Sequence, residues 1–182
     1  MKKFIISISF LTISFILVLL SYNSQSFASN DFSSATNVLS CKITAAKKIK
    51  TGKPLPLRFH LSNNGKKDIY LLKWHTPFEG IRNDIFNVTL NGKEIDYQGI
   101  MAERGNPRSI KSYMLLKTKG SKTASINLAK YYDFSKPGFY TISYARENLF
   151  DHSYSAEDLP RKLDAFQPIN IKCNVLKVRV TQ

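Results

Sequence analysis

The residues best suited to acid–base or metal chemistry are His60, His75 and His152, the chain's three histidines. Imidazole changes charge near neutral pH and ligates metals, so these positions come first. Their spacing argues against a metal centre, because zinc sites draw on closer ligand sets. His60 sits on the polar side of an alternating run and reads as a surface residue. His75 is different. It follows Trp74, the single tryptophan, within Leu71-Leu72-Lys73-Trp74-His75-Thr76-Pro77-Phe78-Glu79-Gly80. A Ser–His–Asp set can be assembled from any serine-rich chain, but no Gly-x-Ser-x-Gly turn is present. No glycine-rich phosphate loop is present either. The expectation is therefore a non-enzyme with no catalytic residue, no metal and no cofactor. Trp74, His75, Thr76, Pro77, Phe78, Glu79 and Arg104 become candidates for contact with a partner.

A short apolar run, Ile69 to Trp74, must position these residues, and it reads as a buried strand. It breaks at Thr76-Pro77, since proline gives a ladder no N–H and forces its predecessor into extended geometry. A polar, glycine-containing loop follows, and loops at the end of a rigid scaffold commonly carry function. A lone tryptophan on a central sandwich strand reads as core before it reads as ligand contact. Phe78 is less expected in a loop, where packing does not need it, unless it folds back as a lid. Arg104 and Glu79 either pair and pin two loops together or meet a partner.

The chain starts Met1-Lys2-Lys3, and Phe4 to Leu20 carries no charge. Small residues at Ser26 and Ala28 complete the pattern of a secretory signal peptide cut after Ala28. The alternative is an uncleaved anchor, since the apolar run approaches the length of a membrane span. After cleavage no span remains, and the product is secreted or periplasmic. Ser29 to Ser40 reads as a flexible leader, and 41–182 as one domain large enough for a real core. Removing Lys2 and Lys3 lowers the formal charge from +14 to +12. Such a balance suits anionic surfaces or polysaccharide. The lysines at 47–48, 66–67, 117, 119 and 122 lie mostly beside turns, where they also guard strand edges. No aromatic-interleaved basic motif points to nucleic acid. Cys41 and Cys173 share parity with inward-facing apolar neighbours. In an exported chain they suggest one disulfide, worth on the order of 4 kcal/mol, although two buried thiols remain the alternative.

The body alternates with period two. Leu55, Leu57, Phe59 and Leu61 face one way and Pro56, Arg58, His60 and Ser62 the other. Phe86, Val88 and Leu90 lead to Asn91-Gly92, the strongest short hairpin signal, and Ile95 and Tyr97 return. Tyr113 to Leu116 is a short strand, and Ala124, Ile126 and Leu128 mark another. Pro137-Gly138 ends a corner, after which Tyr140, Ile142 and Tyr144 face inward. A tyrosine at such a corner can fix the connection through its hydroxyl. Arg146 to Gln167 is long and polar, with a short helical turn expected from Ser155. Ile169 to Val180 reads as a last strand with a bulge at Val175. About eight short strands without an amphipathic helix predict an all-β, immunoglobulin-like antiparallel sandwich.

From about Lys42 to Ala145 the chain resembles the non-catalytic N-terminal (pro) domain of the deuterolysin-like, peptidyl-Lys zinc metalloendopeptidases. Leu71 to Gly80 carries this resemblance, with Asp84-Ile85-Phe86-Asn87-Val88, Gly92 to Gly99, Arg104-Gly105-Asn106-Pro107 and Tyr132 to Tyr144. That peptidase domain needs His-Glu-x-x-His to bind zinc and activate water. No such pair occurs here, so the resemblance implies an accessory domain without proteolysis.

These readings converge on a secreted, non-catalytic β-sandwich that binds another protein, with a secreted peptidase as the obvious partner. The Trp74–Gly80 loop, with 104–107 and 146–167, would cover a peptidase surface as an inhibitor or folding assistant. A basic module held to the cell envelope or to polysaccharide is the alternative.

Overall fold

The computed structural model describes residues 38–182. The expected signal segment, its cleavage point and most of the leader lie outside them. Thirteen strand segments follow: β1 (Leu39–Thr44), β2 (Lys48–Lys50), β3 (Pro56–Asn63), β4 (Ile69–Leu72), β5 (Phe86–Leu90), β6 (Lys93–Glu94), β7 (Tyr113–Leu116), β8 (Ser121–Asn127), β9 (Gly138–Tyr144), β10 (Asn148–Leu149), β11 (His152–Ser153), β12 (Ile169–Asn170) and β13 (Leu176–Thr181). Eight of them have four or more residues, matching the alternating runs. The others hold two or three residues, too few for a pattern to show. Among the described residues no helix is long and apolar enough to cross a membrane.

The strands build an all-β sandwich. One layer has the order β1-β3-β8 and continues along the same two chain paths as β11-β4-β7. The other has the order β2-β13-β9-β5-β6. β2 lies parallel to β13, and the remaining neighbours are antiparallel. Phe59 and Leu61 of β3, Leu71 of β4, Val88 of β5, Tyr140 and Ile142 of β9, and Val178 of β13 fill one common core. Each fully buried side chain of this kind contributes roughly 1.5–3 kcal/mol. The first layer is interrupted at Asn63, which is buried. Its amide nitrogen donates to the carbonyls of Lys67 (2.8 Å) and Leu116 (3.1 Å), and its oxygen accepts from Gly65 N (2.9 Å). The side chain thus replaces ladder bonds lost at the break.

Turn chemistry behaves as the sequence predicts. Asn91 and Gly92 have φ of 49° and 84°, the positive values a tight hairpin turn needs. Tyr140 Oη donates to Lys136 O at 2.9 Å and fixes the corner before β9. Cys41 and Cys173 form a disulfide across 132 residues. Beside it, Asn174 accepts from Ile43 N (2.8 Å) and donates to Ile43 O (3.1 Å), so one amide caps the outer edge of β1.

Four expectations need correction. β4 stops at Leu72, so Trp74 stands beyond the strand. The stretch Cys41 to Ile49, which reads as a single first strand, divides at residues 45–47 and sends β1 and β2 to different layers. The last strand does not bulge. It breaks over residues 171–175, where Cys173 and Asn174 are tied to β1. The segment from Ser155 forms a plain turn, closed by Leu159 N donating to Ala156 O at 3.2 Å. The one-turn helix lies later, at Leu163–Ala165.

The tether between the two ends of the domain sets a testable expectation. The Cys41→Ser, Cys173→Ser double variant should lose about 2–5 kcal/mol of stability. Urea unfolding followed by tryptophan fluorescence measures it, and a loss below about 1 kcal/mol would mean that Asn174 and β13 hold the edge alone.

Candidate functional site

Beyond β4 the chain turns on Thr76. This residue is fully buried, and its hydroxyl donates to Lys73 O (2.6 Å) and accepts from Phe78 N (3.2 Å). The hydroxyl caps the 3-10 turn Pro77–Glu79, with proline at the first position, where no N–H is needed. Glu79 Oε1 then accepts twice, from His75 N at 2.8 Å and from Arg104 Nη2 at 2.6 Å. The expected Arg104–Glu79 pair therefore exists, and it pins loop 99–112 to loop 73–85.

His75 has φ of 55°, a left-handed conformation in which the Cβ of any non-glycine residue crowds the following carbonyl oxygen. It is held from both sides. Glu79 takes its N–H, and Tyr144 Oη donates to its carbonyl at 2.6 Å. The imidazole lies on Phe150, with ring centres 4.7 Å apart, and Arg146 Nη2 stands 3.5 Å from Nδ1. Burial, then the charges of Arg146 and Arg104, lower its pKa from 6.5 to about 4. The ring is neutral at physiological pH. The Glu79 carboxylate meets the backbone of His75 and not its ring, so the two form no acid–base dyad.

Trp74 is half-buried outside the sandwich core, which corrects the core reading. The Arg104 guanidinium lies 5.2 Å from its ring centre and the Phe166 ring 6.1 Å. Such a cation–aromatic contact contributes about 0.5–1 kcal/mol at a partly exposed site. Phe78 does fold back: its ring meets Phe59 edge-on at 5.7 Å, and Phe59 in turn contacts Tyr144 at 5.1 Å.

Segment 146–167 completes this end. Its β11 pairs with β4, His152 opposite Leu71. Asp151 is fully buried. Its Oδ1 accepts from Arg161 Nη1 and Gln167 N, both at 2.8 Å, and its Oδ2 from Tyr113 Oη at 2.7 Å. Burial and the bond to Asp151 push the Tyr113 phenol up. Asn106 Oδ1 accepts from Leu163 N at 2.9 Å and joins this segment to loop 99–112.

The structure thus brings Trp74, His75, Glu79 and Arg104 together, with Thr76, Pro77 and Phe78 as their support. Sequence reasoning missed Phe150, Phe166, Asp151 and Arg161. No period or spacing marks a residue whose partner is a loop. It also missed the exposed apolar side chains. Ile100 (57 %), Met101 (69 %), Ile110 (41 %) and Leu163 (46 %) all stand on these loops, out of seven large exposed apolar residues in the described chain. Ile100 borders an open hollow of about 500 Å³ lined also by Glu79, Gly80, Arg82 and Tyr131. Among the described residues no group of three or more His, Cys, Asp or Glu is placed to hold a metal.

Two expectations follow from this geometry. Phe78→Ala should cost about 2–3 kcal/mol, somewhat below a fully buried phenylalanine, as read by thermal or urea unfolding. The lowered pKa of His75 makes its neutral form part of the folded state. The unfolded chain binds the proton first, so stability is complete above about pH 6.5 and falls as pH drops toward 4. His75→Asn keeps a residue that tolerates the left-handed turn. Its stability relative to wild type should rise between pH 6.5 and 4, and a pH-independent difference would show that His75 is not the titrating group.

No family model matches the chain. Over 85 residues, 46 % of its length, the chain is 39 % identical to an extracellular protease of Aeromonas hydrophila. The match spans 24 % of that protease, so about a quarter of the relative is represented. Among solved structures, the chain is similar to the CARDB domain of a Pyrococcus furiosus protein, crystallised in complex with di-metal ions. Identity is 13 %, the TM-score 0.34, and the match covers 79 % of this chain and 87 % of that one. A solution structure of the same domain gives the same identity and TM-score, with 94 % of that chain covered. The sequence match places this chain beside a segment of an extracellular protease.

Proposed function

We propose that this protein is a secreted, non-catalytic β-sandwich that binds a peptidase through the loop end built on Trp74, Glu79 and Arg104. The observation that carries the reading is the sequence match to about a quarter of an extracellular protease, which relates the chain to a part of such an enzyme. The loop end supports it. Three loops are pinned by Glu79–Arg104, Trp74–Phe166 and Asn106–Leu163, so their surface is largely pre-formed before binding. Ile100, Met101, Ile110 and Leu163 give that surface exposed apolar area with a polar rim, the composition of a protein interface. The bound peptidase is inhibited or assisted in folding while this end covers it.

The experiment captures secreted peptidases of the source on the immobilised exported chain and assays their activity with the chain added. Phe78 is a poor probe because it supports the fold. Ile100→Ser with Met101→Ser removes exposed apolar surface and leaves the core intact. A metallopeptidase retained by wild type and weakened at least about tenfold by the double variant, at unchanged melting temperature, is the expected result. Retention of no peptidase, or equal retention by both proteins, would overturn the reading.

A further inference from the structure

The loop end does not use the charge of the protein. Between Asp31 and Asp68, and again after Asp164, the chain has no acidic residue. Residues 38–67 carry Lys42, Lys47, Lys48, Lys50, Lys53, Arg58, Lys66 and Lys67, and the C-terminal stretch adds Lys172, Lys177 and Arg179. The β2-β13-β9-β5-β6 layer gathers part of this charge on its outer face. Lys48 and Lys50 of β2 and Lys177 and Arg179 of β13 are exposed. In register, Lys48 stands opposite Arg179 and Arg179 opposite Phe139. Like charges directly opposite on neighbouring strands destabilise a sheet. The salt bridges among the described residues all lie elsewhere, at Arg104–Glu79, Arg161–Asp151 and Arg161–Asp158. The one acid of this outer face is Glu94 on β6, at the far edge from β2.

The rest of the face is hydroxyl-rich. Thr141 lies opposite Lys177 on one side and Thr89 on the other, and Thr181 opposite Lys50. Phe139 is 62 % exposed, unusual for a phenylalanine, with the Arg179 guanidinium 5.5 Å from its ring centre. We infer that the outer face of β2, β13 and β9 binds an acidic polysaccharide. The four cations meet its carboxylate or sulfate groups and relieve the Lys48–Arg179 opposition. The threonine hydroxyls exchange hydrogen bonds with sugar hydroxyls, and Phe139 offers a flat apolar surface to a ring. A bilayer would find one bulky apolar anchor here, too little to bury in an interface. This inference is independent of the loop end, since none of its residues belongs to that site.

The test titrates the exported protein, disulfide intact, with alginate and with heparin oligomers by calorimetry at low and rising salt. Short duplex DNA and phosphatidylglycerol vesicles, matched in charge concentration, are the comparison ligands. At least one polysaccharide should bind with salt-sensitive affinity and more tightly than DNA or vesicles. Lys177→Ala with Arg179→Ala should weaken it at least about tenfold. Lys66→Ala with Lys67→Ala removes equal charge from a turn off this face and should change affinity less than about twofold. Phe139→Ala should weaken binding without altering the salt slope, since it removes no charge. The inference is overturned if neither polysaccharide binds, if both double variants lose affinity equally, if Phe139→Ala has no effect, or if DNA or vesicles bind as tightly.

Discussion

A buried carboxylate holds the loop end of this sandwich in shape. Asp151 has no solvent exposure, and a charge so placed costs several kcal/mol unless donors surround it. Arg161, the Gln167 amide and the Tyr113 hydroxyl supply those donors. Together they tie segment 146–167 to β7 and fix where β11 meets β4. Phe150 and Phe166, the ring partners of His75 and Trp74, ride on that same segment. The aromatic and cationic surface around Trp74 therefore depends on a carboxylate that never reaches it.

Glu79 does the local work. One of its oxygens accepts from both a guanidinium and a backbone N–H, so the strained turn at His75 and the tip of loop 99–112 are set by one atom. Charge-assisted bonds of this kind are roughly twice as strong as neutral ones. Geometry also decides the chemistry. A carboxylate committed to a backbone N–H and an arginine does not orient an imidazole. Burial first, and then the charges of Arg146 and Arg104, keep the imidazole neutral. Residue types that suggested acid–base chemistry on paper are here parts of a pinned loop end.

The sandwich was legible because its signals are local. Leu57, Phe59 and Leu61 alternate, Asn91-Gly92 turns, Pro137-Gly138 leads into Tyr140, and each feature recurs in the structure. The disulfide was legible from parity together with the expected export signal. Where β4 ends was not, because Trp74 extends an apolar pattern that the Thr76 cap overrules through a hydrogen bond to Lys73 O. The five short strands were not, because two or three residues carry no period. The role of Asp151 was invisible for a similar reason. Aspartate in a polar loop reads as solvated until its partner, Arg161, ten residues on, is seen to close over it. The Trp74 loop was singled out from its residue types, while its shape depends on contacts from three separate segments.

The two proposed surfaces differ in what they ask of the fold. The loop end spends its charges internally, Arg104 on Glu79 and Arg161 on Asp151, and offers apolar side chains. The sheet face does the reverse. Apart from Phe139 it keeps its apolar residues inside, and it leaves cations opposite one another on paired strands. Self-repulsion of that kind lowers stability without serving the core, and a single glutamate on β2 or β13 would reduce it. A sandwich already closed by a disulfide between its two ends can carry such a face. The structural tether and the uncompensated charge are then complementary features, and the proposed anion would meet the second of them from outside the domain.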